Sequence, residues 1–338
     1  MRIVVDGMGG DDAPARIVDG IVLAAREFRE RGEAHQVIIT GQKDKITAEI
    51  TRCQGQDLCP RFVDIVHTDE WIDMHEPPAE ALRKKTKSSL HVGVEMVKKG
   101  EAEAVIGMGN TGAVMAVGLF GLGRIEGVQR PTIGAFFPSL TGKTLVLDVG
   151  ANVDCKPQHL LQFGLMGSIY MNAMWGVNNP TVGLLSVGEE DSKGCEAIVK
   201  ANELFRERKV FNFVGNVEGR DILAGGTDVV VCDGFVGNVV LKFGESVAGF
   251  LKTRFQRSAD QSLANKLMMM TAKPVLMSVF HDMDYQEYGG VPLLGVNGVV
   301  IIGHGSSSAR AMYSAIQVAR KMVDKKINEV IKEKIKLS

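Results

Sequence analysis

The sequence has few aromatic residues and no surplus of charge of either sign. Phe, Trp and Tyr make up 6% of its 338 residues, whereas apolar residues together make up 45%. A large core must therefore be built from aliphatic side chains and methionine, which is typical of parallel sheets covered by helices. The length suits one large α/β domain over 1–338, with two closely joined lobes as the other arrangement.

The near-zero net charge and the lack of long apolar runs exclude two classes of protein. The formal net charge is −1, whereas a dedicated nucleic-acid-binding protein carries an excess of positive charge. No segment approaches the roughly 20 consecutive apolar residues of a membrane-spanning helix. The first residues predict a strand and not a signal peptide. We therefore expect a cytoplasmic protein without a nucleic-acid partner.

The five cysteines predict neither disulfides nor a metal site. They are odd in number, widely spaced and without a C-x-x-C pair, which disfavours a disulfide framework and a zinc site. Cys155 and Cys195 lie near polar turns, but a free cysteine is more often a packing residue than a nucleophile. We expect reduced thiols and no bound metal.

Short β-type runs alternate with longer helical patterns, which is the order of βαβ units. The predicted strands are 2–5, 36–40, 62–66, 102–107, 131–138, 144–149, 181–187, 211–215, 228–233 and 298–305. The predicted helices are 14–31, 89–100, 112–124, 157–174, 194–207, 236–257 and 306–332. The sequence therefore predicts an α/β protein with helices covering a parallel sheet.

Several predicted strands end in a small or acidic residue next to glycine. In an open parallel sheet the carboxyl ends of the strands share one edge, and ligands bind in the crevice outside it. Glycine lets backbone N–H groups approach an anion, and the start of a helix favours negative charge. We therefore predict that Asn110, Thr111, Asn152 and Asn238 lie at one edge around one anion, with Lys193 nearby.

The stretch GMGNTGA (107–113) spaces three glycines as a dinucleotide-binding turn does. A nicotinamide site also needs an acid about 20 residues further on, at the end of the next strand. The nearest acid, Glu126, precedes that strand, so the dinucleotide interpretation is weakened. Asn110 and Thr111 can cap the helix and donate to a phosphate oxygen. A small anion is favoured, and a tight turn with an ordinary cap is the alternative.

Two later turns concentrate polar side chains. In LDVGANVDCKP (147–157), Asp148 and Asn152 lie between a strand and a helix. Such a turn is either a binding loop or a plain Asx-rich turn. In SVGEEDSKG (186–194), Lys193 precedes a helix, where a cation is unfavourable unless an anion lies nearby.

Two further turns supply a histidine and an amide. CDGFVGNVVLK (232–242) places Asp233 and Asn238 where a strand meets a helix, and GHGSSSAR (303–310) does the same for His304. A lone histidine is often structural, but its place at a strand end beside glycines makes a functional role equally reasonable.

Together these motifs resemble those of the bacterial phosphate acyltransferase (PlsX) family. The matching stretches follow family order along nearly the whole chain: VDGMGGDDAP (5–14), RKKTKSS (83–89), GNTGA (109–113), DVGANVDCKP (148–157), VGEEDSKG (187–194), GNVEGRD (215–221), DGFVGNVVLK (233–242), YGGVPLLGVNG (288–298) and HGSSSARA (304–311). One departure is Asp12, which stands where family members often have histidine.

The resemblance implies a homodimeric, three-layer α/β/α enzyme with a mostly parallel sheet, similar to isocitrate dehydrogenase and phosphotransacetylase. It implies transfer of a long-chain fatty acyl group from acyl-acyl carrier protein to inorganic phosphate. The acyl phosphate would pass to a membrane glycerol-3-phosphate acyltransferase for phospholipid synthesis. Because phosphate is the nucleophile, the reaction needs neither a cofactor nor a metal, but an anion positioned against a carbonyl.

On this basis the candidate residues form three sets. The catalytic set is Lys193, Asn152, Asp233 and His304. The phosphate-binding set is Asp6, Gly109, Asn110, Thr111, Gly112, Asp148, Gly150, Ala151, Asn238 and Ser306. The basic set is Arg83, Lys84, Lys85 and Lys87, which suits an acidic carrier protein, a nucleotide phosphate or simply a solvated helix face.

Other functions stay open at this stage. A phosphotransacetylase acting on acyl-CoA would use the same chemistry with a different thiol carrier. A non-catalytic, membrane-associated scaffold is a further alternative. A decarboxylating dehydrogenase is disfavoured because the ribose-binding acid is missing and no aspartate cluster for a divalent metal is visible.

Two apolar segments near the carboxyl end predict surface contacts. Residues 239–255 are apolar on more than one face, which predicts a dimer interface or, alternatively, a helix buried in its own lobe. We expect 255–282 to form a protruding helical hairpin that turns near Thr271. Its tip would contact a membrane surface, unless it is a small core or a dimer contact. The tip residues are Leu267, Met268, Met269 and Met270.

Overall fold

A central sheet organises the computed structural model, which describes residues 1–282 and 289–338. Within those residues eleven strands form one sheet in the order β3-β2-β1-β4-β11-β10-β5-β6-β9-β7-β8. The strands are β1 (Arg2–Asp6), β2 (Gln36–Gly41), β3 (Val63–His67), β4 (Ala104–Gly107), β5 (Thr132–Ser139), β6 (Gly142–Leu147), β7 (Thr181–Leu185), β8 (Asn212–Val217), β9 (Val229–Val231), β10 (Val291–Leu294) and β11 (Val299–Ile302).

The strand direction reverses in the middle of the sheet. Strands β3, β2, β1, β4 and β11 are parallel to one another, and β6, β9, β7 and β8 form a second parallel group. Between them, β10 pairs antiparallel with β11 and β5, and β5 pairs antiparallel with β6. These three reversals leave the two groups running in opposite directions.

Helices cover both faces of the sheet. They are α1 (Ala15–Glu30), α2 (Lys43–Arg52), α3 (Pro78–Lys84), α4 (Ser89–Lys98), α5 (Thr111–Leu122), α6 (Pro157–Trp175), α7 (Glu196–Arg208), α8 (Asp221–Ala224), α9 (Gly234–Ala259), α10 (Leu263–Asp282), α11 (Ala309–Asp324) and α12 (Ile327–Lys334). Among the residues described, none of these helices has the length and hydropathy needed to span a bilayer.

Alternate residues along the strands pack into two separate cores, one on each face of the sheet. Ile3 and Val5 belong to the core that is covered by α1, α2, α6, α7, α11 and α12, whereas Val4 belongs to the core on the other face, which is covered by α3, α4, α5 and α8. A strand buried on both faces must be apolar at successive positions, which explains runs such as RIVV and VVV. The predicted three-layer α/β/α arrangement is confirmed.

Each predicted strand and helix has a counterpart, with four elements unforeseen and one helix divided. The sequence patterns did not indicate α2, α3, α8 or β10. The helix predicted over 306–332 is two helices, because Lys326 takes a left-handed conformation (φ 50°) between α11 and α12. The apolar periodicity continues across this break because both helices pack on the same core.

The long helices α9 and α10 form an antiparallel hairpin joined at 260–262. The predicted turn near Thr271 is wrong: Thr271 and Pro274 both lie inside α10. Leu267, Met268, Met269 and Met270 therefore occupy the second turn of α10, next to the tip and not on it. All but Met269 are exposed.

The two outer strands have irregular edges. On β8 an additional residue, Val214, lies between the positions that pair with Val182 and Gly183, and the following Gly215 has φ 101°. On β3 the Asp64 side chain accepts a hydrogen bond from the backbone N–H of Ile65, at 2.8 Å.

Candidate active site

A cavity of about 280 Å³ lies between α5 and α9, over the point where β5 and β10 separate. These two strands pair at only two positions, Leu293 with Ile133 and Leu294 with Thr132, which leaves space between their other ends. The wall is formed by Thr111, Gly112, Met115, Ile133, Ala135, Phe136, Val149, Gly150, Asn238, Leu241, Lys242, Glu245, Gly290, Val291, Ile302, Gly303, His304, Ser307 and Ala311.

The cavity combines an apolar wall with a few polar groups. Its larger side chains are mostly aliphatic or aromatic, and the polar ones are Thr111, Asn238, Lys242, Glu245, His304 and Ser307. The first residues of α5 reach it, so free N–H groups and the positive end of that helix lie beside it. Such a cavity can hold an apolar chain that ends in an anionic group.

The prediction that all the polar turns share one edge is wrong. Asp6 is the last residue of β1, and Asn110, Thr111 and His304 follow β4 and β11, whereas Asn152, Lys193 and Asn238 follow β6, β7 and β9. Because the strand groups run in opposite directions, these turns lie at opposite edges of the sheet. The cavity nevertheless draws on both, with Thr111, Gly112 and His304 from one edge and Gly150 and Asn238 from the other.

Asp6 stabilises the loop that follows β1 and does not line the cavity. Its carboxylate accepts hydrogen bonds from Ser89 Oγ at 2.6 Å and from the Met8 N–H at 3.1 Å. Burial raises the pKa of Asp6, and these hydrogen bonds oppose the shift. The loop after β1 is thereby held against Gly109, which packs on Gly9.

Asn110 caps α5, as predicted, but its side chain is fully occupied. The carboxamide oxygen accepts from the Ala113 N–H, while Nδ2 donates to the carbonyls of Met74 and Glu76 at 3.2 and 2.7 Å. The amide therefore ties the 74–76 loop to the helix start. The neighbouring Thr111 and Gly112 are the residues of this turn that face the cavity.

Asp148 organises the second edge. It is fully buried and accepts hydrogen bonds from the N–H groups of Ile133, Ala151 and Asn152 and from Asn152 Nδ2. Burial raises the pKa of Asp148 despite these donors. Asn152 Nδ2 also donates to the Pro131 carbonyl at 2.7 Å. Asp148, Ala151 and Asn152 thus hold the loop and do not line the cavity.

The start of α9 packs directly on this loop. Asp233 caps the helix by accepting from the Val236 N–H at 2.8 Å, and the Gly234 N–H donates to the Asn152 carbonyl at 2.7 Å. A Cβ on Gly237 would lie 1.8 Å from the Asp148 carbonyl oxygen, so only glycine fits. This close approach sets where Asn238, the next residue, enters the cavity.

Of two predicted catalytic residues, His304 lines the cavity and Lys193 does not. His304 lines the cavity, and its Nδ1 lies 3.2 Å from the Ser306 N–H and 2.8 Å from Ser306 Oγ. Ser306 itself is exposed beside it, and Ser307 lines the wall instead. Lys193 is exposed after β7, at the same edge as Asn238, but is not part of the wall.

The sequence motifs did not single out Lys242 or Glu245. The signal for Lys242 is its spacing, because it follows Asn238 by four residues and shares its helix face. The apolar wall had no signal of its own, since Met115 and Ala135 look like any other core residues in the sequence.

The cysteines do not supply a nucleophile. Burial, together with the charges of Asp148 and Asp233, raises the pKa of Cys155 to about 12. Burial likewise raises the pKa of Cys232 well above its ordinary value. Both thiols are protonated at neutral pH, and neither lines the cavity.

The basic set lies one helix away from the cavity. Pro78, at the start of α3, packs against Gly112, and Arg83 and Lys87 are exposed beyond it. Lys84 and Lys85 are ion-paired with Glu80 and Glu76, so part of the positive charge is neutralised locally.

Comparison with known proteins identifies the family. A family model described as "Fatty acid synthesis protein" matches residues 1–330. The chain is 48% identical over 99% of its length to the phosphate acyltransferase of Pelotomaculum thermopropionicum, covering 95% of that protein. It is also 48% identical over 99% of its length to the phosphate acyltransferase of Halothermothrix orenii, covering 98%.

A solved structure shows the same fold. A phosphotransacetylase from Streptococcus pyogenes superposes with a TM-score of 0.62 and 18% identity, covering 97% of this chain and 94% of that one. The relatives and the matched family model together place the chain, as an acyltransferase, in the fatty acid synthesis protein family to which the phosphate acyltransferases belong.

Proposed function

We propose that the protein transfers a long-chain fatty acyl group from acyl-acyl carrier protein to inorganic phosphate, giving an acyl phosphate for phospholipid synthesis. The observation that carries this proposal is the cavity between α5 and α9, which is apolar along most of its wall and polar at Thr111, Asn238, Lys242, Glu245, His304 and Ser307. An acyl chain and a phosphate need these two environments side by side.

The reaction needs positioning more than it needs a protein nucleophile. A phosphate oxygen attacks the thioester carbonyl carbon, a C–O bond forms, and the C–S bond breaks. The proton of the attacking hydrogen phosphate ends on the departing thiolate. Holding the anion against the carbonyl and stabilising the oxyanion are the two contributions left to the protein.

The wall offers groups for both contributions. The N–H groups at the start of α5 and the Thr111 hydroxyl suit the phosphate, because a helix N-terminus attracts anions. The Asn238 amide and the His304 imidazole line the same cavity and are groups of the kind that stabilise an oxyanion. We retain Lys193 as a catalytic residue that would add positive charge from the Asn238 edge.

The basic set suggests how the acyl donor is held. Arg83 and Lys87 are exposed next to the α3–α5 contact at the cavity, where positive charge would attract an acidic carrier protein. The same charges would attract the phosphates of CoA, so the acyl-CoA phosphotransacetylase is the second candidate function.

The α9–α10 hairpin supports two further parts of the proposal. The exposed apolar residues of α9 suit a homodimer contact. Leu267, Met268 and Met270, near the exposed Lys266 and Lys273, suit a peripheral membrane contact close to the downstream glycerol-3-phosphate acyltransferase.

The test is an assay of the purified full-length protein with palmitoyl-acyl carrier protein and phosphate. We expect free thiol to appear only when phosphate is present, together with an acyl phosphate that hydroxylamine traps. Asn238→Ala, which removes a cavity amide, should lower the rate at least about tenfold. Thiol release from palmitoyl-CoA but not from the carrier protein would favour the phosphotransacetylase, and release from neither would favour the scaffold.

A further inference from the structure

One ion pair lies within the cavity wall. Lys242 Nζ is 2.9 Å from Glu245 Oε2, and both residues line the cavity. The Lys242 side chain is 54% exposed and the Glu245 side chain 22% exposed. No other Lys or Arg side chain contributes to the wall within the described part of the chain.

The pair is carried by a helix whose position is fixed. Asn238, Lys242 and Glu245 are spaced by four and three residues on α9, so they share one face. The start of that helix is locked by the contact of Gly237 with the Asp148 carbonyl. Lys242 therefore lies one helical turn after Asn238 on the same face of α9.

A hydrogen phosphate dianion in this cavity would face a conflict of charge. An anion in a largely apolar site must be paired with a cation, and Lys242 is already paired with the Glu245 carboxylate. The carboxylate also repels a second anion at close range. A partly exposed pair of this kind is weak, so an incoming phosphate can replace the carboxylate as partner.

We propose that Lys242 is the cation that binds phosphate in this cavity and that Glu245 is a competing counter-ion, which phosphate displaces when it binds. This inference rests on the proposed function, because it assigns the phosphate of that reaction to a side chain. Glu245 thereby weakens phosphate binding and eases release of the acyl phosphate, whose phosphate group would contact the same ammonium.

The proposal predicts opposite effects for the two partners. Lys242→Met should raise the KM for phosphate roughly tenfold or more, because the cation is lost. Glu245→Gln should lower the KM for phosphate roughly threefold, because the ammonium is released from its competitor. A pair that only stabilises the helix would make both variants change KM in the same direction or not at all.

The experiment measures the phosphate KM at saturating palmitoyl-acyl carrier protein for the full-length protein and its variants. Lys242→Arg keeps the charge and should stay within about threefold of the wild type. Lys252→Met removes an exposed lysine further along α9 and should leave the phosphate KM unchanged. Circular dichroism confirms that each variant is folded.

A second readout separates this inference from the proposed function. The melting temperature is measured against added inorganic phosphate, with sodium chloride at equal ionic strength as the control. Phosphate should stabilise the wild type more than Lys242→Met and less than Glu245→Gln. If the wild type makes no acyl phosphate, the proposed function fails, while this titration still tests the site. An unchanged phosphate KM and an unchanged phosphate-induced shift in Lys242→Met would overturn the inference.

Discussion

Asp148 is the residue on which one side of the cavity depends. Four N–H donors from three residues converge on its buried carboxylate. Asp148→Ala would leave them without an acceptor, so we expect the free energy of unfolding to fall by about 3–5 kcal/mol. Urea denaturation measures the change. Asp154→Ala, an exposed acid of the same loop, should change it by less than about 0.5 kcal/mol; equal losses in both variants would contradict this role.

His91 gives the protein a predictable pH dependence. It packs in α4 with its Nδ1 2.8 Å from Ser88 Oγ, and burial lowers its pKa below the ordinary value. The unfolded chain then binds a proton at higher pH than the folded one, so stability present above about pH 6.5 is lost as the pH falls. Burial lowers the pKa of His35 and His159 in the same way.

Urea midpoints at pH 7.5 and 5.5 test this dependence. Asp6 and Asp148, whose pKa values are raised by burial, act in the opposite direction in both proteins. The comparison is therefore between variant and wild type: His91→Asn should lose less stability than the wild type between the two pH values, whatever its stability at pH 7.5. An identical loss in both proteins would assign the effect to the other histidines.

At the scale of single residues, the sequence predicted caps better than binding groups. Asn110 and Asp233 were expected at helix starts, and both cap their helices, because capping depends on local sequence. The same logic could not show that the Asn110 amide is used by the carbonyls of Met74 and Glu76. Those partners are 36 and 34 residues away, and their position depends on tertiary packing.

Helix α9 presents an apolar stripe that the described part of the chain leaves exposed. Phe235, Val239, Phe243 and Phe250 are all exposed, with Phe243 at 69%, and their spacing of four, four and seven residues places them along one stripe of the helix. Burial in its own lobe, the alternative for 239–255, does not apply to these residues. We expect a second copy of the chain to cover the stripe.

Substitution on this stripe tests the dimer. Phe243→Glu should weaken self-association at least about tenfold, because a charge would be buried in an apolar contact. Sedimentation velocity at micromolar concentration measures it. Phe120→Glu places the same charge on an equally exposed phenylalanine of α5 and should leave the association unchanged. A wild-type monomer would refute the interface.

The reversal of strand direction in the middle of the sheet could be derived only in part from the sequence. The stretch FFPSLTGKTLVL contains a tight hairpin through Leu140 and Thr141, which forces β5 and β6 to be antiparallel. That signal was present in the sequence. The short β10 is bounded by glycines and is too brief to show a period. Without it, the direction of the second strand group relative to the first could not be derived.

At the scale of the whole molecule, the hairpin of α9 and α10 carries a large exposed apolar surface. Most side chains from Leu263 to Val275 are exposed, including apolar residues beside Lys266 and Lys273. We predict reversible binding to vesicles that contain anionic lipid, weakened by salt. The double substitution Leu267→Glu with Met270→Glu should reduce co-sedimentation at least about tenfold.

A matched pair provides the control for this prediction. Leu140→Glu with Leu223→Glu adds the same charge at exposed apolar residues outside the hairpin, and should bind vesicles as the wild type does. Equal binding by the hairpin variant and the wild type would place the membrane contact elsewhere or remove it.

The overall architecture followed from the sequence more closely than the site did. Apolar runs such as DVVVCD and GVVIIGHG indicate strands buried on both faces, and both lie inside the sheet. The site depends instead on a gap between β5 and β10 and on two edges of the sheet facing one cavity. Both arise from the arrangement of distant elements, which no local pattern records.

The outer strands explain how so wide an open sheet can exist without recruiting further strands. An unpaired edge is a template for the backbone of another chain and so for aggregation. On β3 the backbone N–H of Ile65 already donates a hydrogen bond to the Asp64 carboxylate. The same carboxylate places a negative charge at this edge. On β8 the additional Val214 and the left-handed Gly215 interrupt the regular spacing of donors and acceptors, which a docking strand would have to match. Pairing of copies through the sheet edges is thereby disfavoured, so the contact that we expect between copies of the chain uses side chains of α9 and not the backbone of an edge strand.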